Sequence, residues 1–469
     1  MINWQYIASQ FGNNSTEDFM KKIVLGLVIV AAILSAGLII LKDIKVGSQT
    51  YLYGYPLLVM EKSRLAMQGV DGFRNKFHHK HNLPDHSFRT VVRPNNDTLY
   101  SIAWLDLTDE GQVLSVPDMG ERYYVMPFMD AWTNVFATVG TRETGIQEGD
   151  YLITGPHWNG DVPEGLPQIK APTNMVWLIG RIQINGDLDI APVSAIQKRF
   201  KLASQTQWLA GEIQAFYTSD DHNLAQSISP NKQVEAMTST EFFTELSRLL
   251  KTQATLSGDE SILEILAHVG VVPGQDFDTE NHGWLNTKLY NFIFKVTKKK
   301  LIEKLENGRS KENGWNITRD SIGNYGTNYN FRAAVTKVGL GALPPVEAIY
   351  ANASVDFKGQ ALSGTHQYII HFPAEQMPPV KAFWSITMYD ENGFLVESAI
   401  NRYLIGDRDL LKYNDDGSLD IVIQYEQPEK NTENWLPTPK GTFALTMRLY
   451  LPQKSILDGS WKLPPLVRQ

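Results

Sequence analysis

The sequence has 469 residues, 43% hydrophobic and 20% charged. That balance excludes disorder, collagen and coiled coil for the chain as a whole and suits two or three domains. Its net charge of -8 speaks against nucleic acid as a partner. With no cysteine it has no thiol nucleophile, disulfide, iron–sulfur cluster or cysteine–zinc site.

Ile23 to Leu41 is an unbroken apolar run, with Ser35 its one polar side chain. As a helix it would span about 30 Å, one bilayer core. Lys21 and Lys22 flank one end, Lys42 and Lys45 the other. Such lysines can snorkel to the headgroups. A single transmembrane helix over 23–41 is therefore expected, with the lipid bilayer of an inner membrane as partner. A cleaved signal peptide and a buried core helix are the alternatives. The flanking lysines balance and leave orientation open. The lack of cysteine fits a globular part in the periplasm or outside the cell.

Residues 50–70 read as a helix, with Pro56 best placed near its start. His78 to His86 reads as a polar loop. From residue 91 the period changes to two. Thr98, Tyr100, Ile102 and Trp104 share one strand face. Further strands are expected over 123–129, 135–141, 151–154 and 176–184, so 90–190 reads as a β-sandwich. Residues 193–310 read as helical, with helices over 196–215, after the capping box Thr238–Glu241, over 262–269 and over 285–305. The last 120 or so residues return to period two around 366–372, 419–425 and 443–451, each strand having one apolar and one mixed face. Asp415 to Ser418 reads as a hairpin turn.

Tyr53-Gly54-Tyr55-Pro56-Leu57, Arg93-Pro-Asn-Asn-Asp-Thr-Leu-Tyr100 and Asp130-Ala-Trp-Thr-Asn-Val-Phe136 resemble the domain of unknown function 1254. Pro378 to Ser385, Asn401-Arg402-Tyr403, Asp416 to Leu419 and Asn434-Trp-Leu-Pro437 resemble its usual C-terminal partner, 1214. The resemblance covers about residues 45–469. It implies a multidomain α and β protein: an immunoglobulin-like β-sandwich, a helical middle and a jelly-roll-like C-terminal sandwich. It implies no stated activity. In Tyr325-Gly-Thr-Asn328-Tyr329 an acidic residue is expected where Asn328 stands. The resulting units are 1–45 with the transmembrane helix, 46–190, 191–335 and 336–469.

Arg93, Asn95, Asn96, Asp97 and Thr98 place a cation, two amides, a carboxylate and a hydroxyl before a strand. Such a group can orient a polar ligand, or form Asx turns that brace a loop. Asp130, Trp132 and Asn134 pose the same choice. His371 titrates near neutrality by default and could shuttle protons, or sit hydrogen-bonded at a rim beside Gln367, Arg448 and Tyr450. Trp384, Arg402 and Tyr403 combine flat rings with a planar donor, which suits a sugar ring, an aromatic ligand or a domain interface. His78, His79, His81 and His86 could supply a metal, but Arg74, Lys76 and Lys80 oppose a cation, so no metal site is assigned. No nucleophile-elbow, P-loop or zincin motif occurs, and no cofactor is named.

Two functional readings follow. In the first, an envelope hydrolase or lyase acts on a small polar or carbohydrate-like substrate in a cleft between β domains. Asp97, Asp130 and His371 would move protons. Arg93, Asn95, Asn96, Trp132, Asn134, Trp384, Arg402 and Tyr403 would bind. In the second, the same face serves a non-catalytic binding or structural envelope protein. A homo-oligomer is compatible with either.

Overall fold

The computed structural model describes residues 13–68, 74–89, 92–213, 217–218, 229–307, 310–398 and 400–469. The first element, α1 (Asn13–Gln68), runs 56 residues without a break. The apolar run is thus the first half of a longer helix. Side chains 31–33, 35, 36 and 39 lie outside the described residues. Described apolar ones such as Leu25 and Leu38 are exposed. Among the described residues no helix is long and apolar enough to cross a membrane.

Pro56 stands inside α1, not at a helix start. An interior proline removes one helix hydrogen bond and costs about 3 kcal/mol. Burial of Tyr51, Tyr53, Tyr55, Leu57 and Leu58 offsets that cost. Gly54 lets a neighbouring helix close in, because a Cβ there would lie 2.8 Å from Leu246.

The N-terminal β unit follows: β1 (Phe77–His79), β2 (Thr98–Asp106), β3 (Gln112–Val116), β4 (Tyr124–Asp130) and β5 (Val135–Gly140). It continues with β6 (Gly149–Thr154), β7 (Gln168–Lys170), β8 (Met175–Gln183), α2 (Ile190–Gln197), β9 (Lys201–Ser204), α3 (Gln205–Leu209) and β10 (Tyr217–Thr218). One sheet has the order β10-β1-β2-β8-β4-β5, the other β7-β6-β3-β9. Leu99, Leu105, Val176 and Leu178 of the first share a core with Leu114, Ile153 and Leu202 of the second. The expected loop at His78 is partly strand: His78 and His79 pair with Ile102 and Ser101. The expected helix over 196–215 is not continuous. Leu202 pairs with Leu114 at a sheet edge. Ser204 and Gln207 then form a capping box that starts a new short helix. Ala215 lies outside the described residues.

The helical unit comprises α4 (Pro230–Ala236), α5 (Ser239–Leu249), α6 (Glu260–Ala267), α7 (Thr279–Asn307) and α8 (Tyr329–Gly339), with the hairpin β11 (Ser310–Glu312) and β12 (Trp315–Ile317) before α8. The Thr238–Glu241 capping box is present. Gly283 breaks the regular geometry of α7 two residues before the expected start at Leu285. The buried half of α1 is the centre of this unit. Tyr51 packs on Phe294 at 4.8 Å, and the Tyr53 hydroxyl donates to Asp259 Oδ2 at 2.9 Å. The same core takes in Trp104, Met129, Met175 and Ile179 from the outer face of the first sheet.

The C-terminal unit holds β13 (Ala348–Ala353), β14 (Tyr368–Phe372), β15 (Trp384–Asp390), β16 (Leu404–Gly406), β17 (Leu419–Gln424), β18 (Trp435–Pro437), β19 (Phe443–Tyr450), α9 (Lys454–Leu457) and β20 (Leu466–Arg468). Its sheets have the orders β11-β12-β13-β19-β15-β16 and β18-β17-β14-β20. Ile349, Met447 and Leu449 face Ile370, Ile421 and Leu466 in a common core. The Asp415–Ser418 turn is closed by Gly417 N–H to the Asn414 carbonyl at 2.9 Å. It is not a hairpin, because β17 pairs with β14 and β18 and not with the strand before it.

Candidate functional site

The mixed faces of the C-terminal strands are turned towards the N-terminal unit. Tyr350, Arg448 and Ser385 lie in register across β13, β19 and β15, as do Asn352, Thr446 and Thr387. On the facing loop Arg93 holds φ at +55°, a costly conformation for a residue with a side chain. Its N–H donates to the Gly393 carbonyl at 2.7 Å. Its Nη1 donates to Asn352 Oδ1 at 3.0 Å and Thr446 Oγ1 at 2.7 Å. Arg448 Nη2 donates to the Arg93 carbonyl at 3.2 Å. Asn95 Nδ2 donates to Thr98 Oγ1 at 2.9 Å and to the Tyr450 hydroxyl at 3.2 Å. Asn96 is buried, and its Oδ1 has no partner.

Asp97 is fully buried. Ser385 Oγ donates to its Oδ2 at 2.9 Å, and Arg408 Nη2 pairs with its Oδ1. Arg408 Nη1 reaches the Asp97 and Ile184 carbonyls at 3.1 and 2.6 Å. The first cluster therefore bolts the two β units together.

Asp130, Trp132 and Asn134 do not join that cluster. Asp130 is opposite Val176 on β8, and Thr98 is opposite Gln183. Seven residues of strand separate those levels, about 23 Å. The expected single cleft through both clusters is thus absent, because they occupy opposite ends of one sheet. Asp130 Oδ1 accepts the N–H groups of Trp132 and Asn134 at 2.9 and 2.8 Å, and Asn134 Nδ2 donates to Oδ2 at 3.0 Å. Burial pushes its carboxyl up to about 6, and these amides oppose the rise. Trp132 is fully buried; its Nε1 donates to the Ala254 carbonyl at 2.8 Å. Asn134 Oδ1 accepts from Tyr325 N–H at 3.3 Å. This end meets the helical unit, not the C-terminal one.

His371 stands apart from both. It lies on β14, in the sheet that does not contain Arg448 and Tyr450, so the expected shared face does not form. Its Nδ1 lies 2.7 Å from Asp420 Oδ1 at the surface. Trp384 is buried in the C-terminal core against Phe372. Arg402 Nη1 braces the Glu433 and Trp435 carbonyls at 3.0 and 2.9 Å. The Tyr403 hydroxyl donates to Asn401 Oδ1 at 2.8 Å and lies 3.0 Å from His86 Nδ1. His79 is buried beside Ser101, and burial lowers its pKa to about 3. Among the described residues no group of three or more His, Asp or Glu is placed to hold a metal.

One place beside these bolts has chemistry left over. Tyr100, three residues past Asp97, is paired across the strands with Arg181. Arg181 is 5% exposed. Its Nη2 donates to the Gly341 carbonyl at 2.5 Å, while Nη1 makes no hydrogen bond of ordinary geometry. No carboxylate pairs with it among the described residues. Its guanidinium carbon lies 5.4 Å from the Tyr100 ring centroid. Burial acts to raise the Tyr100 hydroxyl, but the Arg181 charge, polar contacts with Arg181 and Asn95 and the Arg448 charge together outweigh it and hold the pKa below the usual tyrosine value. Tyr100, Ile102, Trp177 and Tyr350 stay half-buried here, whereas their strand neighbours Leu99, Ser101, Ala103, Val176 and Leu178 are buried. The sequence does carry a signal for this niche: Arg181 interrupts the apolar run of β8.

Two double-sheet β units, the Arg93–Asp97 loop of the first bolted onto a sheet face of the second, with a helical unit against the first, define the architecture. Residues 74–204 match the family model described as Protein of unknown function (DUF1254), and residues 347–454 match DUF1214. The chain carries matches to both domains, in this N- to C-terminal order. The crystal structure of the VPA0106 protein from Vibrio parahaemolyticus is similar, with 25% identity and a TM-score of 0.68 over 91% of this chain and 100% of that one. An uncharacterised protein from Burkholderia cenocepacia aligns over 92% of this chain and 95% of its own, with 10% identity and a TM-score of 0.45. No curated protein matches the chain.

Proposed function

We propose that this is a binding protein whose niche, at the junction of the two β units, takes a small polar or charged molecule. The observation that carries this reading is Arg181: a buried guanidinium with an unused donor and, among the described residues, no carboxylate partner, beside the half-buried Tyr100. Burying an unpaired charge is costly, and a ligand would relieve it. The hydrolase or lyase reading loses its actors. Asp97 is held by Arg408 and Ser385, Asp130 by three amide bonds, and His371 lies in another sheet. A general base must be able to reach and take a proton from substrate.

We read the N-terminal unit as immunoglobulin-like and the C-terminal one as jelly-roll-like, with boundaries near residues 45, 190 and 335. We read residues 23–41 as the tether to an inner membrane, with the β units outside the cytoplasm. The exposed apolar side chains on this half of α1 and the lysines at both its ends support that reading.

Thermal unfolding of the full-length protein with sugars, carboxylates and phosphate tests the niche. A ligand at 100 times its Kd adds about 2.7 kcal/mol. Arg181→Met is expected to remove the shift; a shift kept in full would place the ligand elsewhere. For the tether, Leu27→Lys with Leu34→Lys should release the protein from washed membranes.

A further inference from the structure

Resting on the reading of the niche as a ligand site, we infer that its ligand is an amphipathic monocarboxylate. The acid would sit at Arg181 and Tyr100, and an apolar body would run along Ile102 and Trp177.

The alternation of β2 and β8 lays this out. Tyr100, Ile102 and Trp104 share the outer face of β2, and opposite them stand Arg181, Ile179 and Trp177. One end of this double row offers a cation and a phenol. The remainder is hydrocarbon and indole, with Trp177 stacked on Trp104 at 4.9 Å and 1° between planes. Four strand residues from Arg181 to Trp177 cover about 13 Å, which limits the body to roughly that length.

The polar end has the wrong inventory for a sugar and too few donors for a dianion. A sugar ring needs several acceptors as well as donors, whereas the unused group on Arg181 only donates and the Tyr100 hydroxyl is left as the acceptor beside it. A carboxylate has two oxygens for two donors, Arg181 Nη1 and the Tyr100 hydroxyl, and supplies the missing negative charge. The arginine is aimed for this. Gly341 holds Nη2 through its carbonyl, at φ +86°, a conformation that favours glycine. A Cβ at that position would stand 3.3 Å from Ile179 and 3.8 Å from Trp177, against the floor of the niche.

The test is calorimetric titration of the full-length protein with octanoate and 4-butylbenzoate, their primary amides, glucose and inorganic phosphate. Both carboxylates should bind at least about tenfold more tightly than the matched amides, a difference of about 1.4 kcal/mol. Arg181→Met should lose that preference and remain folded, since it deletes a buried charge that has no carboxylate partner. Tyr100→Phe should weaken the carboxylates several-fold and leave the amides unchanged. Equal binding of acid and amide, or stronger binding of glucose or phosphate, with all of it lost in Trp177→Ala, would overturn the carboxylate and keep the niche. Carboxylate binding unchanged in Arg181→Met and Trp177→Ala would overturn the niche itself. Absence of binding by every probe would overturn the inference.

Discussion

Asp97 and Asp130 are both buried carboxylates at the ends of strands in one sheet, yet the protein solves their burial in opposite ways. Asp97 receives a guanidinium and a hydroxyl from the C-terminal unit, across the domain boundary. Asp130 receives amides of its own turn, from Trp132 and Asn134. An ion pair across a boundary fixes how two units dock. An amide cradle shapes a local turn and tolerates a proton, and burial raises this second carboxyl to about 6. Neither is available to a substrate.

The comparison breaks most visibly at Asp97. Asp97→Asn leaves Arg408 buried beside a neutral partner, and about 3–5 kcal/mol should be lost in denaturant unfolding. Adding Arg408→Met should recover part of it. A loss under about 1 kcal/mol would mean that the pair does not hold the units together.

Asp130 should respond to pH instead. Its folded pKa lies above its ordinary value of 3.8, so the fold favours the protonated form. Its stabilising contribution is full below about pH 4 and is lost as pH rises through about 6. Relative to Asp130→Asn, the wild type should lose up to about 3 kcal/mol of stability between pH 4 and 7. A flat difference curve would show that the cradle stabilises the anion as fully as the ion pair does at the other end.

The smallest effect sharpens the contrast by adding a charge to the amide end. Arg332 is fully buried with Nε and Nη1 lacking partners, one helical turn past Asn328. Asn328 caps α8 by accepting from Phe331 N–H at 3.1 Å. Aspartate caps as well and adds an i,i+4 partner for Arg332. Asn328→Asp should gain about 0.5 kcal/mol in urea unfolding. A loss would mean that Arg332 is already balanced.

These two carboxylates also mark the limit of what the sequence discloses. Period-two alternation placed Tyr100 and Trp104 on one strand face, and the Thr238–Glu241 spacing marked a helix start; both stand in the structure. Local patterns of this kind act within a few residues. The bond between Arg408 and Asp97 joins residues 311 positions apart, and no local spacing encodes it. For the same reason Arg93, Asn95 and Asp97 are identifiable as a polar cluster, but their role as bolts depends on Asn352, Thr446, Ser385 and Arg408. The 196–215 stretch misleads because sheet-edge pairing of Leu202 overrides an apolar pattern that suits a helix. Arg181 was visible as a charge in an apolar strand, but its unused donor appears only once Gly341 is seen to occupy the other nitrogen.

The unbroken course of α1 has a mechanical consequence. A helix of 56 residues reaches about 84 Å at 1.5 Å per residue. Its later half, from Val46 on, lies in the same core as Trp132 and Ile179, and Trp177 packs against that core. Tyr53 touches Trp132 at 4.5 Å between ring centroids. The earlier half is therefore a handle on a shaft. Any displacement of it would be carried by Tyr53 to Trp132, at the Asp130 end of the sheet.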